Sequence, residues 1–220
     1  MGGSPVVSII IPAKDEEAYL PSTLESIDQL VNGPPIEVIV VNGESNDKTA
    51  AIAKEWGATV ISGSGTGIGH DRNLGATEAS GEWYAFVDAD TIVAENWLVS
   101  MWSFILNHEV IAATSKCRMP GIRAGLMAWT INEIFSRLRS PILPGFNFWV
   151  ASEQFEAAGG FPCVTNEDTA FSRILGRMGP TAFNPDCLVS HSPRRIEDSG
   201  LTGTAYHYAR LDIGRIRGSG

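Results

Sequence analysis

Two aspartates at the end of an apolar run have the chemistry of a cation site. Asp88 and Asp90 follow the run 83–87, Trp-Tyr-Ala-Phe-Val, which has the length and composition of a buried strand. Carboxylates two residues apart on an extended segment point the same way, so they predict either one shared divalent cation or one metal ligand and one contact to a ligand hydroxyl. The alternative is a capped turn, in which Asp88 or Asp90 accepts backbone N–H bonds.

Polar side chains also follow two other predicted strands. Asp15 comes after the β-branched run 6–11, and Asn42 comes after the run 36–41. Because ligands of open α/β sheets bind outside the carboxyl ends of the strands, a ligand there would meet amide and carboxylate groups. These groups suit a nucleotide base and a ribose, and the two carboxylates after the fourth strand would add a metal for the phosphates.

Three arginines and one histidine extend this candidate site. His191 follows a predicted last strand and is a candidate second metal ligand, although a lone histidine can also be structural. Arg72, Arg194 and Arg195 are candidate contacts to phosphate oxygens. For Arg72 the alternative is a salt bridge to one of the many neighbouring acids.

The glycine pattern excludes two common nucleotide-binding motifs. The glycines of segment 63–69 lack the spacing of a dinucleotide fingerprint and follow the third strand rather than the first. A Gly-Lys-Ser or Gly-Lys-Thr phosphate loop does not occur in the sequence. A nucleotide would therefore have to be held by the strand-end side chains.

Short strands and helices alternate through the first half of the chain. Strands are predicted over 6–11, 36–41, 59–62 and 83–87. Helices are predicted over 21–30, 45–56 and 70–79, with Ser45 as the N-cap of the second. Alternation with short connections indicates parallel pairing and a doubly wound sheet, so the fold class is α/β.

The alternation loosens in the second half. Helices are predicted over 97–107, 123–138, 152–158, 167–178 and 200–217, and strands over 110–116 and 188–191. A further apolar run covers 146–151. The helix 123–138 has one apolar stripe, which consists of Met127, Ile131, Ile134, Phe135 and Leu138. We expect this stripe to pack on the core, and the alternative is contact with a membrane interface.

Composition limits the class of the protein and its partners. The 220 residues, 44% hydrophobic and 19% charged, suit one globular domain over 1–220. A formal net charge of −9 argues against a nucleic-acid partner. Neither a signal peptide nor an apolar run of about 18 residues is visible. The three cysteines have no paired spacing, which indicates a reducing compartment, so we expect a cytoplasmic protein.

The charge is unevenly divided along the chain. Before Cys117 there are 5 basic and 16 acidic residues, and after it 11 basic and 9 acidic residues. An acidic first half would need a metal to hold an anionic ligand, and a basic second half could face an anionic acceptor or the cytoplasmic face of a membrane. The alternative is that both halves are simply solvated surfaces.

Taken together, the motifs resemble those of the family 2 glycosyltransferases. Over about residues 6–195 the order and spacing match at VSIIIPAKDE (7–16), VVNGESNDKT (40–49), RNLG (72–75), DAD (88–90), GGF (159–161) and ED (167–168). The resemblance implies a GT-A fold, which is a mostly parallel, Rossmann-like sheet flanked by helices. It implies a nucleotide-sugar-binding half over 5–116 and an acceptor-binding half over 117–217.

The resemblance also implies roles for individual residues. A nucleotide-diphosphate sugar would meet Pro12, Ala13, Asp15 or Glu16, Asn42, Asp88 and Ala89. Asp90 would be a ligand of Mn²⁺ or Mg²⁺, and Asp168 would be the catalytic base for inversion at the anomeric carbon, with Glu167 orienting or structural. The alternative for Asp168 is an ordinary helix start. One departure from the family is Asn42-Gly43, where two adjacent aspartates are usual.

These observations predict a metal-dependent inverting glycosyltransferase, with a UDP sugar preferred over a GDP sugar as donor. The acceptor is a saccharide, a lipid or a polyprenyl phosphate, and peripheral membrane association stays open. The alternatives are a nucleotide-sugar-binding protein without turnover and a retaining glycosidase that uses Asp88 and Asp90. A sugar-nucleotide pyrophosphorylase is disfavoured, because segment 12–17 is not a glycine-rich loop with an arginine.

Overall fold

Buried β-branched runs form the first half of a sheet in the computed structural model, which describes residues 5–138 and 141–194. The strands are β1 (Val7–Ala13), β2 (Ile36–Asn42), β3 (Thr59–Ser62) and β4 (Trp83–Val87). The connecting helices are α1 (Leu20–Asp28), α2 (Thr49–Trp56) and α3 (Ile68–Glu78). Because each connection crosses over through a helix, β1 pairs in parallel with β2 and β4, and β2 pairs in parallel with β3. The predicted parallel pairing is confirmed here.

The second half adds four strands and four helices to the same sheet. The strands are β5 (Thr91–Val93), β6 (Ala112–Arg118), β7 (Asn147–Ala151) and β8 (Thr181–His191). The helices are α4 (Trp97–His108), α5 (Ile122–Glu133), α6 (Ser152–Ala157) and α7 (Glu167–Met178). A 3-10 turn over Phe135–Arg137 follows α5.

Strand order explains why distant residues meet at one edge. The order across the sheet is β3-β2-β1-β4-β7-β6-β8-β5. β7 is antiparallel to both β4 and β6, and β6 is parallel to β8. Two reversals leave β8 pointing the same way as β4, so the carboxyl ends of β1, β2, β4 and β8 lie at the same edge. The start of the antiparallel strand β7 lies there too.

Alternate side chains of the central strands build a core on each face of the sheet. Ile9 and Val40 face one core, which α1, α2, α4 and α5 cover, whereas Ile10 and Val41 face the other, which α3, α6 and α7 cover. This arrangement follows from the two-residue period of a strand. Both faces of the strands β1, β2 and β4 are therefore covered by helices, as expected for buried parallel strands.

The predicted helix 123–138 is shorter than expected, and the predicted helix 200–217 lies outside the described residues. Because α5 ends at Glu133, Ile134 and Leu138 leave its register and are 46% and 42% exposed. The buried side of α5 consists of Ala124, Ala128 and Ile131. The prediction of a single apolar stripe on the core is wrong for Ile134 and Leu138, although Met127 and Phe135 pack partly against the core. Within the two described segments, no helix has both the length and the apolar character needed to cross a bilayer.

Candidate functional site

The two aspartates after β4 lie on a turn rather than on an extended segment. The N–H of Thr91 donates a 3.0 Å hydrogen bond to the main-chain oxygen of Asp88. The chain turns here because β5 begins at Thr91 and runs back along β8. The prediction of an extended backbone at Asp88 and Asp90 is wrong. The hydrogen bond that forms this turn is accepted by the main chain of Asp88, whereas the capped-turn alternative made a carboxylate the acceptor. Both aspartates are nevertheless buried, with 9% and 8% of their surface exposed.

His191 joins these two carboxylates. One ligand atom from each of Asp88, Asp90 and His191 lies within 4.8 Å of the others, and His191 Nδ1 is 3.4 Å from Asp90 Oδ1. The imidazole is held in place, because Nδ1 is 2.8 Å from the hydroxyl of Thr91 and the ring stacks on Phe146 with centroids 4.4 Å apart. Two carboxylates and an imidazole are ligands that a divalent cation such as Mn²⁺ accepts. The residues present therefore fit the predicted metal site.

Arg194 supplies positive charge to the same cluster. Its Nε donates a 2.8 Å hydrogen bond to Asp90 Oδ2, and its Nη2 donates to Glu16 Oε1. The guanidinium lies 4.6 Å from the ring centroid of Tyr19. Burial raises the pKa of Glu16 above its ordinary value although Arg194 opposes the shift, and Glu16 Oε2 has no hydrogen-bond partner among the described residues. Arg194 thus lies beside the candidate metal ligands, and Arg195 lies outside the described residues.

Arg72 forms salt bridges to two acidic side chains, which was the alternative to a contact with phosphate. Its Nη2 donates a 2.8 Å hydrogen bond to Asp88 Oδ1, and its Nη1 donates a 2.6 Å bond to Glu167 Oε1. The side chain is 2% exposed. The pKa of Arg72 is raised because the charges of Asp88 and Glu167 outweigh the effect of its burial. Contact of Arg72 with a phosphate stays a prediction.

The turns after β1 and β2 are tied to each other at the other end of the site. Ala13 is in register with Asn42, and Pro12 with Val41. The N–H of Asp15, which has a φ of 54°, donates to Ser45 Oγ at 3.0 Å, and Asp15 Oδ1 accepts from the Asn46 N–H at 2.7 Å. The prediction that Ser45 caps a helix is wrong. α2 begins only at Thr49, and the hydroxyl of Ser45 accepts a hydrogen bond from the neighbouring turn instead.

Ala89 and Asp168 complete the predicted set. Ala89 is 3% exposed, and its main-chain oxygen accepts a 2.8 Å hydrogen bond from Thr23 Oγ1. Asp168 lies in the first turn of α7, where its Oδ1 accepts from the N–H of Thr169 at 2.6 Å and its Oδ2 from the N–H of Gly145 at 3.1 Å. Asp168 therefore sits at a helix start and also reaches the loop that leads into β7.

A match to a protein-family model identifies the family of this chain. The model described as glycosyl transferase family 2 matches residues 8–161, which is more than half of the chain. The chain belongs to glycosyl transferase family 2. The match includes the turns after β1 and β2, the turn after β4 and Arg72, so the resemblance seen in the motifs is confirmed.

Curated relatives and solved structures agree with this family. The 4,4'-diaponeurosporenoate glycosyltransferase of Staphylococcus aureus strain MRSA252 is 41% identical over 90 residues, which cover 38% of this chain and 24% of that protein. The chain thus spans about a quarter of the length of the curated relatives that it matches.

Similar solved structures show the fold. The structure of S. aureus TarS 1–349 has a TM-score of 0.71 at 21% identity and covers 85% of this chain and 60% of that chain. Its complex with UDP-GlcNAc has a TM-score of 0.70 at 20% identity, over 84% and 58% of the two chains. The mannosyltransferase PcManGT from Pyrobaculum calidifontis, in complex with GDP-Man and Mn²⁺, has a TM-score of 0.70 at 22% identity, over 86% and 57%. The predicted GT-A fold is confirmed.

Sequence reasoning missed several side chains that hold the site together. Tyr19 beneath Arg194 and Phe146 beside His191 gave no signal, because each contact joins distant parts of the chain. The motif RNLG (72–75) contains Asn73 but did not indicate what it binds. Asn73 exchanges two 2.8 Å hydrogen bonds with the backbone of Phe161, from Nδ2 to the carbonyl and from the N–H to Oδ1. Its place next to Arg72 in that motif was the one signal that could have found it.

Proposed function

We propose that this chain is a metal-dependent inverting glycosyltransferase that moves a sugar from a nucleotide-diphosphate sugar to an acceptor hydroxyl or phosphate. One observation carries the proposal, which is the convergence of Asp88, Asp90 and His191 within 4.8 Å in a family 2 chain. The cluster lies at the carboxyl edge of the sheet, where ligands of such folds bind. The polar turns after β1 and β2 lie along the same edge.

The order of side chains along this edge supports a nucleotide-diphosphate donor. Ala13 and Asn42 are paired neighbours on β1 and β2, and β4 with Asp88 lies on the other side of β1. A ligand laid across these strands would have its base near Asn42, its ribose near Asp88 and its diphosphate near Asp90. UDP is proposed ahead of GDP. TarS has been solved with UDP and with UDP-GlcNAc, and PcManGT with GDP-Man.

Asp90 and His191 would hold the divalent cation, Mn²⁺ or Mg²⁺. When bound, such a cation offsets the negative charge that develops on the leaving diphosphate. The guanidinium of Arg194 against Asp90 and Glu16 supports this assignment, because it marks a place where positive charge is stabilised. Asp88 is proposed for the ribose, since its Oδ1 is already bound to Arg72.

Asp168 would act as the base. It would accept the proton of the acceptor hydroxyl while that oxygen forms a bond to the anomeric carbon, and the carbon–oxygen bond to the diphosphate would break with its electron pair leaving on the diphosphate. Attack from the opposite face inverts the anomeric configuration. The hydrogen bond from Gly145 supports this role, because Asn147, two residues later, pairs with Val87 directly before Asp88. Asp168 is therefore anchored close to the carboxyl edge.

The surface of α5 favours an acceptor that is attached to a lipid. Ile122, Leu126 and Trp129 lie on one side of this helix and are 95%, 50% and 55% exposed. We call these three residues the α5 outer face. Large apolar residues on the solvent side of a helix, with an aromatic residue among them, are typical of contact with a membrane interface.

The charge around the α5 outer face supports the same interpretation. Segment 116–138 carries four basic residues and one acidic residue, in a chain with a net charge of −9. Arg118 pairs with Ser190, which directly precedes His191, so α5 begins close to the candidate metal site. We therefore propose that the protein associates peripherally with the cytoplasmic face of a membrane and there meets a lipid-linked acceptor.

Titration calorimetry of the purified chain tests the donor and the metal together. UDP, GDP, UDP-GlcNAc and GDP-mannose would be titrated with and without Mn²⁺. We expect one nucleotide series to bind and Mn²⁺ to strengthen its binding. Asp90→Ala should abolish the effect of Mn²⁺, whereas the control Asp186→Asn, at an exposed position of β8, should retain it. Absence of any nucleotide binding to the wild type would refute the proposal.

Turnover separates the two alternatives. A binding protein without turnover would bind the donor and release no nucleotide in the presence of a membrane-lipid extract. A retaining glycosidase would hydrolyse a simple aryl glycoside without nucleotide.

A further inference from the structure

A buried carboxylate lies between the turns where the base is proposed to bind. Asp71 is in the first turn of α3 and is 6% exposed. A methyl group added to Gly43 would lie 2.8 Å from Asp71 Oδ2, and one added to Gly63 would lie 2.6 Å from Oδ1. The carboxylate therefore fills the gap between the end of β2 and the end of β3, and a side chain at either glycine would have to displace it.

The backbone around Asp71 belongs to the proposed base site. The N–H of Gly43 donates to the carbonyl of Ala13, and the N–H of Gly63 donates to the carbonyl of Asn42, both at 2.8 Å. These bonds close the ends of β1, β2 and β3 around the side chain of Asp71. A base that contacts Ala13 and Asn42 would thus lie next to this carboxylate.

The carboxylate of Asp71 has few hydrogen-bond donors for a side chain that is so deeply buried. Among the described residues it accepts one hydrogen bond, which is 3.4 Å long, from the N–H of Ser64 to Oδ1. The imidazole of His70 lies 3.9 Å from Oδ1 and is itself 46% exposed. Burial raises the pKa of Asp71, although His70 and Lys14 oppose this shift. A buried carboxylate of this kind gains from an additional N–H donor.

The turn after β2 leaves room for this carboxylate. It carries Asn42-Gly43, and Asn42 Oδ1 already accepts a 3.3 Å bond from the N–H of Ser45. Because Gly43 has no side chain, a carboxylate from α3 can occupy the space beside it. Asp71 thus brings an acid to this place from another element.

We propose that Asp71 selects the donor nucleotide by accepting a hydrogen bond from the imino N–H of its base. Uracil carries this group at N3 and guanine at N1, whereas cytosine and adenine have an acceptor nitrogen at the corresponding position. A carboxylate has no proton to donate, so it is repelled by the lone pair of that nitrogen. The inference rests on the proposed function, since it names a contact of the same donor.

Calorimetry with a methylated nucleotide tests the contact on the unaltered protein. UDP and 3-methyluridine diphosphate differ at the imino group, and GDP and 1-methylguanosine diphosphate form the equivalent pair. For whichever nucleotide binds in the presence of Mn²⁺, methylation should weaken binding roughly tenfold or more, as expected for a lost hydrogen bond to a charged group. Equal binding of the methylated and unmethylated forms would overturn the assignment.

The variant Asp71→Asn tests the residue itself. An amide can donate as well as accept, so the variant should bind UDP or GDP roughly tenfold more weakly and should discriminate less between UDP and CDP. Glu78→Gln, at an exposed position of the same helix, is the matched control and should keep the wild-type preferences. If Asp71→Asn kept both the affinity and the UDP-to-CDP ratio, the role of Asp71 would be wrong while the proposed function stood. If the wild type bound none of these nucleotides, the proposed function itself would fail.

Discussion

Arg72 Nη2 donates a 2.8 Å hydrogen bond to Asp88 Oδ1 in a place where the arginine side chain is 2% exposed. The same guanidinium binds Glu167 on α7, so one buried cation connects the end of β4 with the start of the helix that carries Asp168. Its Nε has no hydrogen-bond partner among the described residues. A buried ionic group of this kind makes the geometry of the site dependent on all three charges.

Replacing Arg72 should destabilise the protein strongly. In Arg72→Met two buried carboxylates lose their counter-ion, which is expected to cost about 3–5 kcal/mol in the free energy of unfolding. Urea denaturation followed by circular dichroism measures this change. Arg137→Met is the control, because Arg137 is 76% exposed and pairs with Glu133 on the surface, and it should unfold like the wild type. Equal midpoints for the two variants would contradict the buried-triad interpretation.

Removing Arg194 should have opposite effects on metal and nucleotide. Its positive charge lies 2.8 Å from Asp90, so Arg194→Ala should strengthen Mn²⁺ binding in the absence of nucleotide, roughly tenfold for a charge–charge energy of about 1–2 kcal/mol in a partly exposed site. If Arg194 contacts the diphosphate, the same variant should bind UDP more weakly. Electron paramagnetic resonance of free Mn²⁺ and calorimetry with UDP provide the two measurements.

The control for Arg194 is Arg177→Ala, because Arg177 is exposed in the last turn of α7, at the opposite end of that helix from Asp168. It should leave both affinities unchanged. Unchanged or weaker Mn²⁺ binding in Arg194→Ala would show that the guanidinium of Arg194 does not compete with the cation for the negative charge of Asp90.

Asp168→Asn should separate binding from turnover. A side chain that acts only as the base contributes to the transition state, so kcat should fall by about 10²–10⁴-fold while the affinity for UDP stays near the wild-type value. The asparagine oxygen can still accept the hydrogen bond from Gly145, which preserves the loop. Nucleotide release at saturating donor and calorimetry measure the two quantities. Wild-type turnover in this variant would remove Asp168 as the base.

The α5 outer face should bring the protein to anionic vesicles. We expect the chain to float with phosphatidylcholine vesicles that contain phosphatidylglycerol, and to float less in high salt because basic residues take part. Leu126→Ser combined with Trp129→Ser should reduce the bound fraction roughly tenfold or more, since a large buried apolar side chain contributes about 1.5–3 kcal/mol.

Leu106→Ser on α4 is the matched control for the vesicle experiment, because Leu106 is 60% exposed on another helix. It should float like the wild type. Flotation that is equal for all three proteins, or absent for the wild type, would contradict membrane contact through α5. Self-association of the wild type that the double substitution abolishes would instead identify a protein interface.

The sequence predicted the elements whose signal is local. Runs such as 38–41 are apolar throughout because helices cover both faces of their strands, and the polar residues that follow them then mark the carboxyl edge of the sheet. The same reasoning placed His191 beside Asp90, although 101 positions separate them in the sequence. Strand direction was sufficient here, since parallel strands end at one edge.

Features that depend on distant partners were not predictable in this way. Phe146 to Ala151 gave an apolar run, but its antiparallel place between β4 and β6 depends on pairing across the sheet. Arg72 and Glu167 are 95 positions apart, so the choice between a phosphate and an ion pair had no local signal. The exposed side of α5 was missed because an apolar residue on a helix is assumed to face the core unless the packing is known.

Three successive residues of α3 each reach a different part of the site. Asp71 touches the turns after β2 and β3, Arg72 binds Asp88 and Glu167, and Asn73 binds the backbone of Phe161. A small rigid displacement of this one helix would therefore change the spacing at all three places simultaneously. When segments are exchanged between family members, Asp71, Arg72 and Asn73 should therefore be transferred together. The surfaces that they contact should be transferred with them.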